Sequence, residues 1–246
     1  MTSVVCYASE TSCALGEVVE VDGSEAHHLK NVLRLQPGSV VDVFNGRGSR
    51  AAARIIEVSR RVVVLEIHEP PRLATRPRSE LVLATAVPKG DRFRWLVEKA
   101  AELGATRLIP LRTDRSVVVP GPGKRDKLRQ TIIAAAKQSR QDYLMELDVV
   151  TDWSRFLDSN LVAQAACWLA HPGTQPVASE VGRRLPAGPN LLVVGPEGGF
   201  SDDELQRAQT AGMRIVGLGT SLLRVETAAL MLLGYFRALC CGSDAE

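Results

Sequence analysis

The chain has little that would commit it to a membrane, a disulfide framework or a metal. Its longest apolar stretches, such as Ala228 to Leu233, fall well short of the roughly 20 residues that span a bilayer. No basic region near residue 1 leads into an apolar one. A soluble, cytoplasmic protein with no membrane partner is expected. The five cysteines (Cys6, Cys13, Cys167, Cys240, Cys241) are odd in number, show no metal-ligand spacing, and sit in a chain of 246 residues that needs no staples. Reduced thiols and no bound metal are expected. Net charge is scarce too: 30 basic against 28 acidic residues leave +2, too little to argue for nucleic acid by itself. Any such case rests on where the basic residues lie.

What is present is ordinary globular composition, 45% apolar and 24% charged, enough for one large domain or two unequal ones. From Glu17 to Ile67 the chain reads as short β-branched runs (Val18 to Val21, Val40 to Phe44, Ala51 to Val58, Val62 to Ile67) separated by turn residues such as Asn45-Gly46-Arg47-Gly48. One helical stretch, Ser24 to Leu35, interrupts them, with Leu29, Val32 and Leu33 on one face.

Between His68 and Arg78, Pro70, Pro71 and Pro77 argue against both ladder and helix. A boundary there divides a small β-rich domain, 1–72, from a second domain, 73–246. Beyond it strands alternate with helices. Strands are expected at Leu81 to Val87, Arg107 to Leu111, Leu147 to Val150, Ala166 to Ala170, Leu191 to Val194 and Arg214 to Leu218. Helices are expected from Asp91 to Gly104, Lys124 to Arg140, Ser201 onward, and Val225 to Cys240. Such alternation predicts an α/β domain with a mainly parallel sheet. Ser201-Asp202-Asp203-Glu204 predicts a capping box, and Gly104 and Gly212 predict left-handed helix ends. Trp95, Leu96, Ala100 and Leu103 read as one packed helix face, and Leu128, Ile132 and Ala135 as another.

Asn190 to Ser201 is a buried strand that empties into the loop Gly195-Pro196-Glu197-Gly198-Gly199 and then a capped helix. In parallel α/β sheets ligands bind at the carboxyl ends of strands. The loop lacks a Gly-Lys-Ser/Thr ending and the dinucleotide glycine spacing, and Glu197 within it would repel a polyphosphate. A neutral or cationic ligand fits better, while a plain tight turn explains the same glycines. A second strand, small-residue loop and helix follow in Gly217-Leu218-Gly219-Thr220-Ser221-Leu222-Leu223-Arg224-Val225-Glu226-Thr227-Ala228-Ala229.

Together the two segments resemble the C-terminal region of the 16S rRNA (uracil-N3)-methyltransferase family, with its Gly-Pro-Glu-Gly-Gly loop followed by Leu-Gly, Leu-Arg and Glu-Thr-Ala. Lys89-Gly90-Asp91, Lys99 to Gly104, Arg115-Ser116-Val117, Gln138-Ser139, His27-His28 and Val32-Leu33-Arg34 extend the resemblance over nearly the whole chain. The chain departs from the family at Lys127-Leu128, commonly Arg-Trp, and at Lys137, commonly Glu.

The resemblance implies a small N-terminal PUA-like β-barrel, a C-terminal SPOUT domain with a deep trefoil knot, a homodimer, S-adenosyl-L-methionine as cofactor, and 16S rRNA or the small ribosomal subunit as partner. Three loops are then expected to cradle the cofactor. The first, Leu169 to Gly173, supplies Leu169 and His171, the second, Val194 to Gly199, supplies Val194, Gly195, Glu197, Gly198 and Gly199, and the third, Leu218 to Leu223, supplies Leu218, Gly219, Ser221, Leu222 and Leu223. Glu197 either meets a hydroxyl or cationic end of the ligand or satisfies amides of its own turn. His171 is either a cofactor neighbour or a surface polar residue beside a proline turn.

Methylating uracil at N3 requires stabilising an anion spread over two carbonyl oxygens, a task for a guanidinium fork. Arg224 is the candidate. Glu226 is expected to orient Arg224 or act as base, or else to complement the helix N-terminus. Lys30, Arg34, Arg47, Lys89 and Arg92 are candidates for RNA phosphate contact, as are Arg50, Arg54, Arg72, Arg76, Arg78, Arg94 and the group at 124–129. Two rivals stand beside this reading. One is a related ribose 2′-O-methyltransferase, whose Ser-Leu-Asn-Val-Ser signature is replaced here by Ser221-Leu222-Leu223-Arg224-Val225. The other is a non-catalytic rRNA-binding assembly factor.

Overall fold

A computed structural model describes residues 4–76, 78–117, 125–182 and 185–243, of which 241–243 are described by backbone alone. Pro77, Lys124 and the thiol of Cys241 lie outside the described residues. The chain divides into two compact units, Met1–Arg76 with Ala136–Leu144, and Pro77–Ala135 with Met145–Glu246. Residues 136–144, which a boundary after residue 72 assigns to the second domain, thus belong to the first unit.

In the first unit, β1 (Val5–Tyr7), β2 (Val18–Val21), β3 (Val40–Phe44), β4 (Ser49–Val58) and β5 (Val63–Ile67) form a sheet in the order β1-β3-β4-β5-β2. All pairings are antiparallel except β1 with β3. Alternation carries Val41, Val43, Ala51, Ala53, Ile55, Val63, Leu65 and Ile67 into one core. A bulge shifts the β4–β5 register between Ile55 and Glu57 and leaves Ile56 exposed. The proline-rich stretch forms a ladder after all: β6 (Arg72–Leu73) pairs with β4, because the prolines fall outside the two paired residues.

The helix expected over 24–35 is shorter. It runs as α1 (Gly23–His27), then as a π-turn from His28 to Val32, with the Leu33 amide reaching the His28 carbonyl five residues back. The wider turn keeps Leu29 fully buried but turns Val32 and Leu33 outward. The returning segment is held by charge. Arg50, expected among the phosphate contacts, is buried against Asp142 and stacked on Phe44, while Arg72 donates to the other Asp142 oxygen at 2.9 Å. Lys137, where the family commonly has Glu, bonds both oxygens of Glu25 at 2.9 and 2.8 Å.

The second unit is a three-layer α/β domain. Seven parallel strands, β7 (Ser79–Ala86), β8 (Arg107–Arg112), β9 (Glu146–Leu147), β10 (Thr151–Asp152), β11 (Ala166–Ala170), β12 (Gly188–Val194) and β13 (Arg214–Val216), take the order β10-β8-β7-β12-β11-β13, with β9 also on β8. One strand expected at 147–150 is two short ones. Both faces are covered, which is why Leu191 to Val194 reads as an unbroken apolar run.

On one face Val82, Ala84, Ile109, Leu169, Leu191 and Val193 meet α4 (Trp153–Leu157), α5 (Asn160–Gln164) and α7 (Asp202–Thr210) through Trp153, Phe156, Val162 and Ala208. On the other lie α2 (Arg92–Glu102) and α8 (Val225–Ser243), with the ring of Phe236 of α8 packed at a tilt against Trp168, centroids 5.5 Å apart. The long α3 (Arg125–Ser139) buries Leu128, Ile132 and Ala135 as expected. The face of α2 is shifted. Phe93, Leu96, Val97 and Ala100 keep the i, i+3, i+4, i+7 spacing and are buried, whereas Trp95 lies off that stripe and is 46% exposed. Gly104 and Gly212, just past α2 and α7, take φ of 77° and 83°. Among the described residues no helix is long and apolar enough to cross a membrane.

Candidate functional site

The carboxyl ends of β11, β12 and β13 open into three loops that surround one cavity of about 410 Å³. Ala170, His171 and Pro172 line it from the first loop and Val194 to Phe200 from the second. Leu218, Gly219, Ser221, Leu222 and Leu223 line it from the third, and Val225 and Ala228 from the start of α8. Backbone bonds fix the first loop to the third. The His171 amide donates to the Val216 carbonyl at 3.0 Å, the Gly217 amide to Gln175 at 2.6 Å, and the Val177 amide, at the start of α6 (Val177–Glu180), to Gly217 at 2.9 Å.

The second loop is pinned from the segment that follows β8. Arg115 donates to the Gly198 carbonyl at 2.8 Å, and its side chain lines the cavity. Ser201 and Glu204 form the expected capping box, and Glu204, almost fully buried, also accepts from the Asp114 amide at 2.9 Å. Ser201 Oγ in turn donates to Asp114 at 2.9 Å. One small hydroxyl thus caps α7 and ties two loops together. Ser201→Ala is expected to cost about 1 kcal/mol of stability, read by urea unfolding, with no change in the fold.

Of the residues expected to hold a cofactor, His171, Val194, Gly195, Glu197, Gly198, Gly199, Leu218, Gly219, Ser221, Leu222 and Leu223 come together around this cavity. Leu169 does not. It is fully buried in the core beneath, because alternation along β11 turns it toward α4 and α5, and Ala170 reaches the cavity instead. Ala170 and Pro172 belong to the expected first loop, whereas Phe200, Val225 and Ala228 were not expected in the wall, nor was Arg115, whose role depends on a loop far off in the chain. Its Arg-Ser-Val motif was the one available signal.

Arg224 sits exposed at the head of α8, between the wall residues Leu223 and Val225, and among the described residues its side chain has no hydrogen-bond or ion-pair partner. Glu226 is not the partner of Arg224. It is buried, one oxygen lies 3.4 Å from Arg92, and the other has no partner among the described groups. Arg92, expected among the phosphate contacts, instead faces Glu226 and, at 3.6 Å, Glu197. Lys89 and Arg34 are exposed, Lys30 donates to the Ser59 carbonyl at 2.8 Å, and Arg47 is exposed with one donor on the Ser9 carbonyl. The thiols of Cys6, Cys13 and Cys167 are pushed up by burial, that of Cys167 to about 11, so none serves as a thiolate at neutral pH. Among the described residues no cluster of His, Cys, Asp and Glu could hold a metal ion.

Residues 75–237 match the RNA methyltransferase domain family and residues 21–67 the RNA methyltransferase PUA domain family, a pairing that defines the class. The chain is 32% identical to ribosomal RNA small subunit methyltransferase E of Bacillus subtilis, across 87% of each chain. It is 31% identical to the protein of that name from Mycobacterium bovis, across the whole of this chain and 95% of the other. The crystal structure of ribosomal RNA small subunit methyltransferase E from Neisseria gonorrhoeae bound to S-adenosyl methionine superposes with a TM-score of 0.86 at 25% identity, covering 97% of this chain and 98% of that one. The chain belongs to the ribosomal RNA small subunit methyltransferase E family.

Proposed function

We propose that this protein transfers a methyl group from S-adenosylmethionine to N3 of a uridine in the 16S rRNA of the small ribosomal subunit. The carrying observation is the cavity where three strands end, walled by the family's two loop motifs and by the first turn of α8. Its residues fit the cofactor. A volume of about 410 Å³ lies within the usual range for small-molecule sites. Leu218 and Leu223 give apolar walls, backbone groups supply polar anchors, and Glu197 gives the single carboxylate facing a cationic ligand. When bound, S-adenosylmethionine supplies an electrophilic methyl group on a positively charged sulfur.

Arg224 is placed in this proposal against the uracil, where its fork stabilises the ring as it loses the N3 proton. Nearby positive charge lowers the cost of that deprotonation, and RNA seated over the exposed Arg224 would exclude water and strengthen the effect. Lys30, Arg34, Arg47 and Lys89 contact RNA phosphates. The deep trefoil knot and the homodimer belong to the same proposal. The insertion of β12 between β7 and β11 is consistent with a threaded chain, and the exposed Trp95, Leu222 and Met231 supply apolar surface for a second copy.

The test is mass spectrometry of rRNA from cells lacking the protein, with and without complementation. One uridine of the 16S rRNA is expected to lose its N3 methyl and regain it on complementation. An unchanged spectrum rejects the substrate, and a missing ribose methyl would favour the 2′-O rival.

A further inference from the structure

We infer that Arg92 is a positioning residue that couples the cofactor loop to the root of α8 and holds Glu197 in the cavity wall. This deepens the reading above and rests on it for the identity of the ligand. Each nitrogen of the Arg92 guanidinium faces an acceptor within the second unit. Nε donates to the Lys89 carbonyl at 3.2 Å, Nη1 lies 3.4 Å from Glu226 and Nη2 3.6 Å from Glu197. A side chain anchored on three sides offers little to a passing phosphate, although a basic residue near the start of a helix suggests that role from sequence.

The two carboxylates differ in their surroundings. Glu226 is buried in the first turn of α8, whereas Glu197 lies on a glycine-rich loop, lines the cavity and is 41% exposed at its side chain. A carboxylate with that much access to water would turn toward solvent unless held. Arg92 supplies the hold, and Glu226 fixes Arg92 in turn. Among the described residues the second oxygen of Glu226 has no hydrogen-bond partner, so Arg92 is the one group seen to pair with this buried carboxylate. The three groups sum to one negative charge beside the cavity, the sign that suits a cationic ligand.

The experiment is calorimetric titration of the full chain with S-adenosylmethionine, together with hydrogen exchange of the peptide covering 195–200 in the unliganded protein. Arg92→Met is expected to weaken binding about tenfold, Arg92→Lys less because the positive charge is kept although the fork is lost, and Glu197→Gln about as much as Arg92→Met. Combining Arg92→Met with Glu197→Gln is expected to add nothing further, and 195–200 is expected to exchange faster in Arg92→Met. RNA affinity and its salt dependence are expected to stay unchanged. Unaltered exchange and unaltered binding in Arg92→Met overturn the inference, as does a salt slope for RNA reduced by about one, the mark of a phosphate contact. Failure of the wild-type chain to bind S-adenosylmethionine rejects the proposed function instead, and the exchange measurement still decides the coupling.

Discussion

Arg224→Ala is expected to leave S-adenosylmethionine affinity within about twofold while lowering methyl transfer about 10²- to 10³-fold, the usual effect of removing one donor from a developing anion. The geometry separates the two readouts. Leu223 and Val225 line the cavity on either side of Arg224, but the guanidinium is exposed and, among the described residues, engaged by nothing in the chain. Its removal takes no support from the cofactor loops. Arg224→Lys is expected to recover a minor share, because an ammonium cannot address two carbonyl oxygens in one plane. Single-turnover methylation of rRNA and calorimetry on the same preparations check this. Loss of binding and transfer together would show that Arg224 supports the pocket rather than the reaction.

Gly217→Ala is expected to abolish measurable cofactor binding at working concentrations and to lower stability by about 1–3 kcal/mol, the range for overpacking a filled site. A Cβ at Gly217 would lie 2.5 Å from the Thr174 backbone carbonyl. That carbonyl cannot retreat, because Gly217 also bonds Gln175 and Val177 and so locks the first loop against the third. Gly195→Ala makes the informative contrast. There a Cβ would lie 2.7 Å from the ring of Phe200, which packs on Trp153 with centroids 4.9 Å apart. The obstacle is a side chain, so Gly195→Ala is expected to be rescued in part by Phe200→Leu, whereas no change at Thr174 rescues Gly217→Ala. Binding titrations and urea unfolding of the four variants distinguish the two cases. Full cofactor affinity in Gly217→Ala would mean that the two loops do not need their close approach.

Much of the architecture was legible before any coordinates, for reasons that lie within a few residues of each element. The unbroken apolar run Leu191 to Val194 marks a strand covered on both faces, and Ser201 with Glu204 marks a helix start through bonds that span a single turn. Short elements escaped. β1, α4, α5 and α6 are three to five residues long, too brief for a period to declare itself. The π-turn at His28–Val32 was hidden because its apolar residues fit an ordinary helix equally well.

The loops that line the cavity could be named from sequence because the resemblance rests on short contiguous motifs, Gly195 to Gly199 and Leu218 to Ala229, whereas their glycines alone fit a plain tight turn equally well. Charge pairing could not. Arg92 and Glu226 are separated by more than half the chain, as are Arg50 and its return partner Asp142 by a third of it, and no local pattern says which cation meets which carboxylate. By itself the sequence determined the order of the longer strands and helices, the capped start of α7 and the two motifs that line the site. Only the tertiary structure decided that Leu169 lies beneath the cavity, that Glu226 faces Arg92 rather than Arg224, and that residues 136–144 return to the first unit. Periodicity is a property of neighbours along the chain, whereas a partner across the fold is selected by packing that involves the whole domain.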